Sequence, residues 1–209
     1  MSVNQTPAEA NAAADEQLVK LGETTMHGIK GWAVPVIFWI GVIFSVYQIY
    51  TAAYSPLSSL VMRSLHVGFL LLLAFLLHRI TRDADRSRVP WYDWILGGLA
   101  FPLAFYHWIF EIEIIQRQGD PNQIDFWIGV VVLVLLFEAA RRIVGWALPL
   151  ICFAFILYAY FGRSIPAPFI HRGYDWHRIV GELYLGFEGI YGIPTLVSST
   201  YVFLFILFG

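Results

Sequence analysis

The densest group of ionisable side chains beside an apolar run is Glu138-Ala139-Ala140-Arg141-Arg142. On a helix, residues three and four positions apart are neighbours, so Glu138 can meet both guanidinium groups on one face. Such a cluster either stops a helix at a membrane surface or serves as a post against a partner bundle. Neither role makes it catalytic. Glu111 and Glu113 are two apart and diverge by about 200° on a helix, too far to clasp one ion together. His66 and His107 each lie inside an apolar stretch, at a similar distance from the end of it. If their helices are antiparallel neighbours, both imidazoles reach one depth, the arrangement of a bis-histidine haem in a small electron-transfer anchor. The alternative is hydrogen bonding by histidine between helices in lipid.

The stretch Phe187-Glu188-Gly189-Ile190-Tyr191-Gly192-Ile193-Pro194-Thr195-Leu196-Val197-Ser198-Ser199-Thr200 places helix breakers and hydroxyl groups at the start of an apolar run. Broken helices at membrane depth are tolerated where protein or water covers the freed backbone, and transporters use them to shape ion and substrate sites. A short interfacial helix from Arg178 to Phe187, followed by an ordinary span from Pro194, accounts for the same pattern. No serine–histidine–acid constellation, phosphate loop or His-Glu-x-x-His motif occurs, so no enzymatic activity is expected. The lone Cys152 offers neither an intrachain disulfide nor thiolate metal spacing.

These groups need elements to carry them. The chain has 209 residues, 58% hydrophobic and 13% charged, with aromatics at 17%; soluble domains are typically about 25% charged. The formal net charge of -2 supplies no basic face for nucleic acid. The composition predicts an all-α integral membrane protein of about six hydrophobic helices in a lipid bilayer. A first span of about 20 residues fits Trp32 to Tyr54, within the uncharged stretch Gly31 to Met62. A second runs from Leu57 to Leu77, with Arg63 snorkelling to the surface, and a third from Trp94 to Ile115. The fourth needs its flanks, Asn122 to Arg142, to reach spanning length. Ile143 to Gly162 makes a fifth. The sixth begins near Gly189, and the chain stops inside its apolar run, so sequence beyond Gly209 is expected.

Residues 1–30 then form a polar tail, 31–142 a four-helix region, and 143–209 a linker helix with the start of a further region. Positive-inside counting puts the N-terminus in the cytoplasm. Lys20, Lys30, Arg79, Arg82, Arg86, Arg88, Arg141 and Arg142 then share that side, with Arg63, Arg117, Arg163, Arg172 and Arg178 opposite.

Several blocks carry a resemblance: Arg63-Ser64-Leu65-His66-Val67-Gly68-Phe69, Trp91-Tyr92-Asp93-Trp94, Glu138-Ala139-Ala140-Arg141-Arg142-Ile143-Val144-Gly145-Trp146, and Glu188-Gly189-Ile190-Tyr191-Gly192-Ile193-Pro194 with Phe203 to Gly209. From Met62 to Gly209 the chain resembles the N-terminal part of fused permeases of tripartite ATP-independent periplasmic (TRAP) transporters, in the branch that pairs with TAXI-type binding proteins. The most specific positions are Glu138, Arg141, Arg142, Gly145, Glu188, Gly189, Gly192 and Pro194.

The resemblance implies a secondary transporter of the bacterial inner membrane, driven by a cation gradient, usually sodium, that takes organic anions from a periplasmic solute-binding protein. Residues 31–142 would match the small membrane subunit, and 143–209 the linker and the start of the large subunit. The rest of that large subunit would complete the machine. No other cofactor is implied, and no substrate or cation ligand carries over onto these residues.

Overall fold

Turn-forming and capping residues divide the chain into helices, and no strand occurs among the described residues. The computed structural model describes residues 29, 31–54, 57–80, 88–117 and 120–208. The expected polar tail, apart from Ile29, and most of the charged stretch after the second span lie outside them.

The helices are α1 (Ala33–Tyr54), α2 (Ser59–Leu77), α3 (Trp91–Ala104), α4 (Tyr106–Ile109), α5 (Glu111–Gln116), α6 (Gln123–Ile143), α7 (Ala147–Phe161), α8 (Trp176–Tyr184), α9 (Ile193–Val197) and α10 (Phe203–Phe208). A 3₁₀ turn, Gly162–Ser164, follows α7, and a π-helical turn, Ser198–Val202, joins α9 to α10. Among the described residues, four helical stretches are long and apolar enough to cross a membrane: α1, α2, α6, and α7 with its 3₁₀ extension.

Local chemistry sets the boundaries. The Ser58 side chain accepts from the Val61 amide at the start of α2. Asn122 and Asp125 form a reciprocal capping box at the start of α6, which satisfies amides that the first helical turn leaves unpaired. At the other end of α6, Gly145 adopts φ 94°, a left-handed position that penalises any side chain. Its amide donates to the Arg141 carbonyl at 3.0 Å, and α7 starts two residues later.

Two expected elements differ in the structure. The third span is not one helix from Trp94 to Ile115 but α3, α4 and α5, divided at Phe105 and Phe110. Pro102 lacks the amide hydrogen that would continue the ladder. Three residues on, the Phe105 amide donates back to the Pro102 carbonyl at 3.0 Å, the tightened geometry of a helix end. The last apolar run becomes helical not near Gly189 but at Ile193, with Pro194 in the first turn, where a missing amide hydrogen costs nothing; this start, after the short helix α8, agrees with the alternative of a short helix followed by a helix from Pro194.

The core forms around α2. Of its most apolar window 72% is buried, against 11% for α1 and 11% for Ala147–Ser164, which makes α2 the central helix and leaves the other two peripheral. Leu71 and Phe75 of α2 pack with Ala100 of α3, Val132 and Leu135 of α6, and Tyr184 of α8. The Ser64 hydroxyl donates to the Ala104 carbonyl at 3.0 Å, joining α2 to the end of α3.

Candidate functional site

The polar side chains of this apolar bundle gather at its two ends. At the first, α2 ends, α3 begins and α6 ends, and Arg142 is the hub. Its guanidinium donates to Asp93 Oδ1 at 2.6 Å, to Glu138 Oε1 at 2.7 Å and to the His78 carbonyl at 3.1 Å. The Arg142 and Asp93 side chains are both fully buried. Arg141 makes two bonds to Glu138, at 2.8 and 2.7 Å, and a third to the Ile80 carbonyl at 3.0 Å. The rings of Phe75 and Trp146 cover the two guanidinium groups, 5.0 Å from Arg142 and 5.3 Å from Arg141.

Two carboxylates, Asp93 and Glu138, thus meet the guanidinium group of Arg142, and Glu138 also meets that of Arg141. Asp93 lies in the first turn of α3 and the arginines in the last turn of α6, the ends where helix dipoles favour those signs. The one-face pairing expected for Glu138, Arg141 and Arg142 is present. Asp93 is the partner that sequence reading missed. Its signal was a lone carboxylate between two tryptophans in the first turn of an apolar helix.

At the opposite end, Arg63 corrects the expectation of a snorkelling side chain. It is buried, 7% exposed. Its guanidinium donates to the Tyr191 carbonyl at 2.6 Å and to Ser59 Oγ at 2.8 Å, and lies 4.8 Å from the centre of the Phe187 ring. Among the described residues no carboxylate pairs with it; carbonyl dipoles meet its charge.

The backbone it grips is folded tightly. The Ile190 amide donates to Leu183 O at 2.9 Å and the Gly192 amide to Gly189 O at 3.0 Å, while the Thr195 hydroxyl bonds to Ile190 O. A Cβ on Gly189 would lie 2.2 Å from the Leu183 carbonyl oxygen, so the close approach requires glycine. Gly192 is buried, and Glu188 and Pro194 are exposed. Nearby in the fold, the fully buried Asp125 accepts from the Tyr106 hydroxyl and pairs with Arg117 at 3.1 Å, tying α4 and α5 to the start of α6.

His66 and His107 occupy separate pockets. His66 Nδ1 meets Gln48 Nε2 at 2.5 Å and its Nε2 meets Ser198 Oγ at 3.1 Å, linking α1, α2 and the π-helical turn. His107 Nε2 bonds to the Tyr184 carbonyl at 3.2 Å, and its ring is flanked by Tyr184 and Tyr191 at 4.7 and 4.8 Å between centroids. With both nitrogens of His66 engaged and tyrosine rings beside His107, the residues present do not fit a haem held between the two. Glu113 is exposed and Glu111 half-buried. Among the described residues no group of three or more His, Cys, Asp or Glu side chains converges as a metal site.

Comparison with protein-family models, with curated proteins and with solved structures returns no match for this chain.

Proposed function

We propose that this chain is the membrane scaffold part of a TRAP-type secondary transporter, in which a cation gradient, of sodium by the resemblance, drives uptake of organic anions delivered by a TAXI-type periplasmic binding protein. The observation that carries the reading is the Arg63 pin. A scaffold has to hold the broken segment from which a moving region departs, and here an arginine of the central helix grips the carbonyl of Tyr191 within that segment. The four spanning-length helices supply the anchor. Exposed aromatic and branched residues along α1 and α7, such as Phe38, Trp39 and Phe155, match hydrocarbon rather than water.

In this reading six apolar segments meet the inner membrane, with the N-terminus and the Arg142 end cytoplasmic and the Arg63 end periplasmic. The scaffold performs no chemistry.

Uptake into liposomes carrying the complete permease tests the proposal. Transport of a labelled carboxylate is expected only with both an inward cation gradient and the binding protein. Uptake that persists without either one overturns it. Thiol labelling of Arg86→Cys in a Cys152→Ser background is expected from the cytoplasmic side alone, and periplasmic labelling reverses the orientation.

A further inference from the structure

We propose that the groove bounded by α6, α7 and α8 binds an anionic glycerophospholipid, with the phosphate on Arg172 and Arg178 and an acyl chain along the groove wall. The inference rests on the bilayer setting argued above. The groove has a volume of about 760 Å³ and extends from Ala140 and Leu148 to Tyr174 and Arg178. Its wall is aliphatic and aromatic, with Phe137, Phe155 and Leu183 among its residues, and Arg178 and Glu182 are its charged members. An apolar trough with ionic groups at one mouth has the form of a single amphiphile.

The charge at that mouth selects the headgroup. The guanidinium carbons of Arg172 and Arg178 lie 4.9 and 5.6 Å from the centre of the Tyr174 ring, so two cations share one aromatic platform. Glu182 reaches Arg178 only at 4.0 Å, with both side chains 52% exposed, a contact of little strength in that setting. Asp175 is occupied as the cap of α8, accepting from the Arg178 amide at 2.9 Å. Among the described residues no carboxylate pairs with Arg172.

Guanidinium forks match phosphate oxygens geometrically. A choline headgroup would bring its own cation beside two arginines, and an apolar protein helix would leave both without a counter-charge. Depth agrees: Tyr160 stacks on Trp176 at 4.8 Å near the same mouth, and such amphipathic rings favour the headgroup level.

Cys152, the one cysteine of the chain, lines the groove and is exposed, so its alkylation reports occupancy. The purified chain in micelles is supplied with phosphatidylglycerol or phosphatidylcholine, and the rate of maleimide addition at Cys152 is measured. Phosphatidylglycerol is expected to slow the reaction several-fold relative to phosphatidylcholine. The double variant Arg172→Gln, Arg178→Gln is expected to abolish the difference, and Glu182→Gln, which frees Arg178, to enlarge it.

Equal rates in the wild type, or protection that survives the double variant, overturn the lipid site. Alkylation that is equally slow with both lipids overturns it too. Both arginines are exposed, and circular dichroism of the variants checks that the helices persist. Alkaline carbonate separates the two readings: release of the chain from membranes defeats the bilayer setting, whereas a retained chain without lipid preference defeats this site alone.

Discussion

Arg142 and Arg63 are two buried arginines answered in different ways. Arg142 meets carboxylates from two helices and, beside them, one main-chain carbonyl at the end of α2. Arg63 meets main-chain carbonyls of a segment more than a hundred positions away. The first arrangement fixes helix ends that are already part of the bundle. The second depends on the shape of a turn, so it senses whether the segment around Tyr191 is folded back against α2. One is a brace and the other a latch, although both use the same side chain.

The largest expected effect comes from breaking the brace. Asp93→Ala leaves Arg142 buried without its nearest carboxylate. Loss of one partner of a buried pair costs about 3–5 kcal/mol, read as a lower midpoint in unfolding by SDS. Combining Asp93→Leu with Arg142→Met is expected to recover most of that loss, because replacing both charges removes the desolvation penalty together with the attraction.

Breaking the latch is expected to cost less. Arg63→Met removes charge-assisted bonds worth about 1.5–3 kcal/mol. The discriminating measurement is hydrogen exchange: amides of residues 189–193 and Thr195 speed up while those of 138–145 stay protected. Lysine is not expected to restore protection, since it lacks the fork that reaches Ser59 and Tyr191 together.

Two smaller changes sharpen the contrast at the brace. Glu138 is 25% exposed but bidentate to Arg141 and shared with the buried Arg142, so Glu138→Gln, which keeps an acceptor oxygen, is expected to cost about 1.5–3 kcal/mol. A loss equal to that of Asp93→Ala would contradict the central place given to Asp93. Gly145→Ala forces a side chain into a left-handed turn at a cost of about 1–2 kcal/mol, seen as a modest fall in the same unfolding midpoint.

Local features were legible in the sequence. The Glu138 pairing follows from three- and four-residue spacing. The expectation that the fourth span needs its flanks agrees with α6, which runs from Gln123 under an Asn122 cap to Ile143. Pro102 is a break signal that the length of the apolar stretch around it hides, and the helix ends at Ala104, two residues beyond it. The partners of Asp93 and Arg63 were not legible, because they lie 49 and 128 positions away and no periodicity encodes such pairings. The snorkelling rule misplaced Arg63 because it treats the membrane surface as the only polar refuge, whereas a folded turn offers carbonyls nearer at hand.

Of the fifteen residues of α7 only Pro149 is buried. In the proposed bilayer setting, drift along this helix away from the groove is therefore constrained by oiliness and hardly by shape. In a saturation library, exchanges among Leu, Ile, Val, Met and Phe there should pass unnoticed, whereas a single Asp or Lys at mid-helix should be purged. In α2, where neighbours surround the side chains, the same aliphatic exchanges should already be selected against.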